Sequence, residues 1–173
     1  MFTGYQVEFR SVKKDDIEQL RYWRNRADIR LMMLDQREIS PAQQSAWFEN
    51  LESQVDKYHF SLWFRDQLIG YANAELTGDH TAITGLYIGH EKYRGSMLSL
   101  CVGVALSEWC FDKLPVKQIC VQVAAKNHAA LRFNETLGYR VITQQEGWVY
   151  LAKTNSEFND AKVKLARILS RFS

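Results

Sequence analysis

The chain has 173 residues, 46% hydrophobic and 24% charged, the balance of a water-soluble globular protein about one domain long. Its formal net charge of +2 is too near neutrality to suggest a nucleic-acid or membrane partner, so any anion site must be local. No apolar run approaches the ~20 residues of a membrane span, the first residues lack a basic-then-apolar leader pattern, and a cytoplasmic protein is expected.

Residues 5–11 (YQVEFRS) alternate in polarity and predict a first strand. Asp15 and Asp16 place negative charge where a helix starts, and Ile17, Leu20 and Trp23 follow at helical spacing. In SPAQQSAWFENL, Ser40 is an N-cap, Pro41 takes the first helical position and Gln43 completes a capping box. Trp47, Phe48 and Leu51 form its apolar stripe. A meander follows, with strands at 58–65, 68–76 and 82–88 joined by turns at Asp66-Gln67 and Thr77–His80. YIGHEKYRGSMLSL then reads as a strand end, a short basic loop with one glycine, and a helix that Pro115 stops near Leu114. Residues 117–125 (KQICVQVAA) predict a buried strand, Asn127 the cap of the next helix, and Gly138 its C-terminal stop.

Two strands around a Gln144–Gly147 turn and an amphipathic helix at about 157–172 complete the pattern. That helix either docks on its own domain, the commoner case, or lies on a membrane. With two prolines and no repeat or linker, residues 1–173 are expected to form a single domain. Cys101, Cys110 and Cys120 sit among apolar neighbours and read as reduced core thiols; no metal site is expected.

The order of elements is a mixed α/β layout. Along 68–76, Tyr71, Asn73 and Glu75 share one face, and Ala72, Ala74 and Leu76 the other. A polar stripe on an interior strand predicts an aqueous pocket, which makes Glu75 the first candidate for a general base and His90 the second, with Glu91 and His80 behind them. Each also fits a structural use: Glu75 in an ion pair, the histidines as solvated turn residues.

Two stretches, LYIGHEKYRGSML (86–98) and NHAALRFNETLGY (127–139), together with the element order, resemble the GNAT superfamily of acetyl-coenzyme A N-acetyltransferases. The resemblance implies a mixed, mostly antiparallel sheet of about seven strands flanked by helices, splayed between the fourth (82–88) and fifth (117–125). It also implies acetyl-coenzyme A as co-substrate and direct attack by an amine. LRYWRN (20–25) and SAWFENL (45–51) are similar to the branch that holds ribosomal-protein alanine acetyltransferases and the acetyltransferases of nucleotide-linked amino sugars, nearest the pseudaminic-acid-pathway enzymes.

Carried over by position, the backbone N–H groups of Gly95, Ser96, Met97, Leu98 and Ser99 would hold the pyrophosphate, with Arg94 and Lys92 adding charge. Met97 stands where the family has its central glycine and would narrow or shift the loop. Amides of Tyr87, Ile88 and Gly89 would hold the oxyanion. Seven residues after Asn127, many members carry a tyrosine that protonates the departing thiolate; here Asn134 takes that place and can donate a hydrogen bond but not a proton. On the acceptor side, Arg24, Arg26 and Arg30 would meet a phosphate, Trp47 would stack on a base or sugar, and Asn73 would face the substrate. The tryptophans also fit as core anchors.

Three functions are then open: acetylation of a small amine such as a nucleotide-linked amino sugar, acetylation of a protein N-terminus, or a GNAT-like binding module without catalysis. A pocket with an arginine and an aromatic face would mark the first, an open groove the second. The expected partner is a small-molecule amine, with no nucleic acid or membrane, and a two-fold homodimer is the default assembly.

Overall fold

The chain opens with a hairpin where the sequence predicted one strand. In the computed structural model, which describes residues 1–172, Phe2–Gly4 (β1) pairs antiparallel with Val7–Ser11 (β2). The turn between them uses Tyr5 and Gln6 at φ 52° and 63°, the doubly positive φ of a two-residue hairpin. After a short 3-10 turn come helices Ile17–Asn25 (α1), Ala27–Arg30 (α2) and Pro41–Glu49 (α3). The predicted capping box is present at α3: Ser40 Oγ accepts from Gln43 N–H at 3.2 Å, and Gln43 Oε1 accepts from Ser40 N–H at 2.8 Å.

The meander is Lys57–Phe64 (β3), Gln67–Thr77 (β4) and Thr81–Ile88 (β5), and the β3–β4 turn falls at Arg65-Asp66, one residue before the predicted place. Helix Met97–Lys113 (α4), strand Gln118–Ala124 (β6), helix His128–Thr136 (α5), strands Arg140–Gln145 (β7) and Trp148–Thr154 (β8), and helix Asn155–Leu169 (α6) follow. The sheet has eight strands in the order β1-β2-β3-β4-β5-β6-β8-β7, the eighth being the unforeseen β1. Among the described residues only β5 and β6 pair in parallel.

Helices cover both faces. On one side, α4 and α6 pack a core that includes Leu62, Ile69, Val102, Ile119 and Leu151; on the other, α1–α3 enclose Val12, Ile17, Leu20, Trp23 and Ile29. Helix α6 starts two residues earlier than predicted, capped by Thr154, and buries Phe158, Ala161, Leu165 and Leu169, so its apolar face docks on the chain itself. Among the described residues no helix is long and apolar enough to cross a membrane.

One core residue is a lysine. Lys153 on β8 is fully buried, its Nζ donating to Ser107 Oγ at 2.7 Å and Leu137 O at 3.2 Å, above the rings of Tyr139 and Phe158 at 4.1 and 4.6 Å. Burial pulls its pKa down from 10.5 to about 7, opposed by Cys110. The folded value lies below the unfolded one, so the unfolded chain holds the extra proton above pH 7 and folding strengthens as pH rises. Burial raises the cysteine thiols, an opposite dependence that begins near their ordinary value of 9.0. Urea denaturation should therefore show stability climbing between pH 7 and about 8.5 by about 1 kcal/mol per unit, and Lys153→Met should flatten that slope.

Candidate active site

The parallel pairing of β5 with β6 covers only Thr81–Ile83 against Gln118–Cys120, after which the two strands part. A cavity of about 920 Å³ runs through the opening, from the N-terminus of α4 to the space under α1, α2 and α3. Thr84 and Leu86 line it from β5, Val121 and Val123 from β6, Ser99 and Gly103 from α4.

The donor end has the features a diphosphate needs. The N–H groups of Met97 and Leu98 open α4 and have no carbonyl one turn back within the helix. Gly95 has φ 65°, and a Cβ there would meet nothing within 4 Å, so the loop is open at that point. Arg94, Gly95 and Ser99 line the cavity; Ser96, Met97 and Leu98 do not present side chains to it. Ser96 Oγ donates to Tyr93 O at 2.6 Å, Leu98 is in the core, and Met97 is 41% exposed. The expected narrowing by Met97 is thus absent, because its side chain points out of the cavity. Arg94 forms an ion pair with Asp28 of α2 and reaches Gly89 O at 3.4 Å.

The oxyanion expectation needs a correction. Gly89 N–H already donates to Ile69 O at 2.9 Å, and Gly89 does not line the cavity. Ladder alternation from that bond, in register with Tyr71↔Tyr87, also turns the Tyr87 amide toward β4. The amides of Ile88, Leu86 and Thr84 face the opening, so of the three expected donors Ile88 is the one left to the site. Asn127 caps α5, accepting from Ala130 N–H at 3.1 Å, and lines the cavity. Asn134 is buried on the same wall; one of its amide hydrogens goes to Ala130 O at 2.8 Å and the other is left over.

At the acceptor end, Arg24, Trp47, Asn73, Tyr71 and Tyr87 converge. Gly85 lacks the Cβ that would come within 2.9 Å of Asn73 Oδ1, which makes room for that amide. Arg24 Nη2 donates to Asp35 O, while its Nη1 is buried with no partner among the described residues. Burial lowers its pKa, with Tyr87 and Asp35 opposing.

Several expected residues are elsewhere. Glu75 faces Ile83 at the closed end of the strand pair and binds Lys57 at 3.0 Å, away from the cavity wall. The polar stripe was read correctly as a face, but Glu75 is at its wrong end. His90 accepts at Nε2 from the Gln67 amide at 2.8 Å and does not line the cavity; His80 donates to Pro115 O at 2.9 Å; Glu91 pairs with Arg26 at 3.1 Å. Arg30 braces the 31–40 loop through Gln36 O at 2.8 Å and Glu38 at 3.5 Å rather than facing the cavity.

Two groups escaped the sequence reading as functional candidates: Tyr71, which lines the cavity, and His59 behind it, at 2.5 Å from Tyr71 Oη through Nδ1. The stripe containing Tyr71 was visible, but its pairing with His59 depends on strand register. For the donor end, calorimetric titration with acetyl-coenzyme A should give Met97→Ala an affinity within about twofold of wild type. Gly95→Val, strained at positive φ, should bind about tenfold more weakly.

A family profile for the acetyltransferase (GNAT) domain matches residues 6–140. The structure is similar to aminoglycoside acetyltransferase AAC(6')-Ib solved with coenzyme A and kanamycin, with TM-score 0.76 and 20% identity over 90% of this chain and 99% of that one. It is similar to the Campylobacter jejuni N-acetyltransferase PseH, with TM-score 0.70 and 14% identity over 87% and 99% of the two chains. Spermidine N-acetyltransferase from Vibrio cholerae, solved with CoA and spermine, gives TM-score 0.78 and 16% identity over 89% and 98%. No curated protein matches significantly by sequence. The profile runs from the first hairpin turn to the start of β7, taking in both walls of the cavity, and the chain belongs to the acetyltransferase (GNAT) domain family, an acetyl-coenzyme A-dependent N-acetyltransferase.

Proposed function

We propose that the chain acetylates a primary amine on a nucleotide-linked amino sugar, in the branch that contains the pseudaminic-acid-pathway enzymes. The observation that carries this reading is the buried Nη1 of Arg24, without a partner among the described residues, in a cavity that Trp47 also lines. A guanidinium nitrogen out of water and without an anion costs free energy that a substrate phosphate would offset, and the indole on the cavity wall offers a surface for a base or sugar. A pocket with an arginine and an aromatic wall suits a small anionic acceptor better than a peptide backbone.

In this reading the first-turn amides of α4 and the guanidinium of Arg94 hold the donor's diphosphate, and the acyl arm lies between β5 and β6. The Ile88 N–H faces the acyl oxygen and stabilises charge that develops there. Asn134, through its spare amide hydrogen, hydrogen-bonds the leaving sulfur. A thiol's reference pKa of ~8.5 makes thiolate a tolerable leaving group without a proton donor.

Thiol release from acetyl-coenzyme A, measured against a UDP-linked amino sugar, kanamycin, spermine and an N-terminal peptide, tests the assignment. The nucleotide sugar should give the highest kcat/KM. Arg24→Ala should lower that value about 10- to 100-fold, the worth of one charge-assisted contact, and leave acetyl-coenzyme A affinity unchanged. A preference for the peptide or for uncharged polyamines would overturn the reading.

A further inference from the structure

Among the described residues the acceptor end has no free carboxylate to take a proton. Asp28 is held by Arg26 and Arg94, Asp35 by Arg37, Glu38 lies against Arg30, and Glu75 pairs with Lys57 outside the cavity. From Tyr71 on the wall a hydrogen-bonded chain runs back behind the cavity. Tyr71 Oη lies 2.5 Å from His59 Nδ1, and His59 Nε2 lies 3.3 Å from Gln54 Oε1. The ring of Tyr71 stacks with Tyr87 at 5.7 Å, and Trp47 stands edge-on to both Tyr71 and His59 at 6.2 and 5.5 Å, so the pair is fixed by aromatic contacts.

We infer that Tyr71 is the catalytic base of the acetyl transfer, passing its own proton to His59, which acts as the positioning and relay residue behind it. This rests on the reading that an amine is acetylated in this cavity, whatever its carrier.

The hydrogen positions follow from the partners. The side-chain oxygen of Gln54 only accepts, so His59 Nε2 carries the hydrogen and Nδ1 is a lone pair for the Tyr71 hydroxyl. The Tyr71 oxygen keeps its own lone pairs free to accept, and Tyr71 lines the cavity. Burial raises the Tyr71 hydroxyl far above its ordinary 10.0, so it cannot act as a standing phenolate. Burial, aided by Lys57 and opposed by Glu75, holds the His59 imidazole below its ordinary 6.5, so it is neutral and able to receive. Those two charged groups face it from β3 and β4 and are paired with one another at 3.0 Å.

The step balances without another reagent. Entering as the free amine, the acceptor nitrogen bonds to the thioester carbonyl carbon and must shed one proton. Its N–H bond breaks as an O–H bond forms at Tyr71, whose former hydroxyl hydrogen moves to His59 Nδ1. Neutral tyrosine and an imidazolium result. The C–S bond breaks with its electron pair leaving on the coenzyme thiolate, and half-exposed His59 returns its proton to solvent.

Two measurements on the full chain decide the matter. Nitrogen-15 NMR of the imidazoles, which needs no acceptor, should find His59 as the Nε2–H tautomer at pH 7, with its Nδ1 resonance shifted by Tyr71→Phe. The Nδ1–H tautomer, or no response to Tyr71→Phe, would overturn the relay. Thiol release with the UDP-linked amino sugar, from pH 5.5 to 9, should show kcat falling on the acidic side as His59 protonates. His59→Gln should abolish that limb and lower kcat about 10- to 100-fold, and Tyr71→Phe should lower it at least 100-fold, with KM nearly constant in both. A surviving acidic limb in His59→Gln, or a change confined to KM, would sink the proposal. If the nucleotide sugar is inert and kanamycin or spermine is acetylated, the amino-sugar reading fails alone and the same profiles are taken with that amine. If no amine is acetylated, both proposals fall.

Discussion

Parallel pairing between β5 and β6 ends after three residue pairs, at Ile83 and Cys120, and from there each strand keeps its outer partner, β4 or β8, and has none on its inner edge. A strand edge inside a protein carries amide and carbonyl groups that need partners. Here they face a cavity, so the backbone itself becomes a binding surface. The acyl arm of the donor, with amides of its own, suits such an edge. Helix α4 begins at one side of the opening and α5 closes the other, which puts a helix N-terminus, an unpaired strand and the acceptor space on one continuous wall.

A second constraint is a single extra residue. Leu62 pairs with Gly70 and Trp63 with Leu68, so Ile69 bulges out of the β3–β4 ladder. Its carbonyl accepts from both Gly89 and His90, which ends β5 and turns the chain toward the donor loop. The bulge also sets which side chains share a face. Without it, the turn at Arg65-Asp66 would pair His59 with Ala72 and put Tyr71 on the opposite face. One irregularity therefore sets both the turn out of β5 and the aromatic wall of the cavity.

This explains what could be read from the sequence. Caps and stops were legible because they are local chemistry: Ser40 with Gln43, Asn127 with Ala130, and Gly138 at φ 87° behave as their residue types dictate. Strand positions followed from alternation, and the two family-like stretches gave the splay. The hairpin β1–β2 was hidden because its turn is Tyr-Gln, residues that rarely hold positive φ and give no turn signal. Glu75 was misplaced because alternation gives a face but not a height along the strand. Met97 drew attention as a substitution in a motif, yet only its side-chain direction decides its effect. The pairing of His59 with Tyr71 depends on a bulge that no local pattern announces.

The ion pair between Arg94 and Asp28 joins the loop before α4 to the short helix α2, across the mouth of the cavity. An anion that draws Arg94 away leaves Asp28 with Arg26 alone and changes the charge at the acceptor mouth. Thermodynamic linkage makes the exchange mutual: if the donor alters the affinity for the acceptor, the acceptor alters that for the donor by the same factor. Any such coupling would run through one carboxylate, Asp28, which the two arginines share.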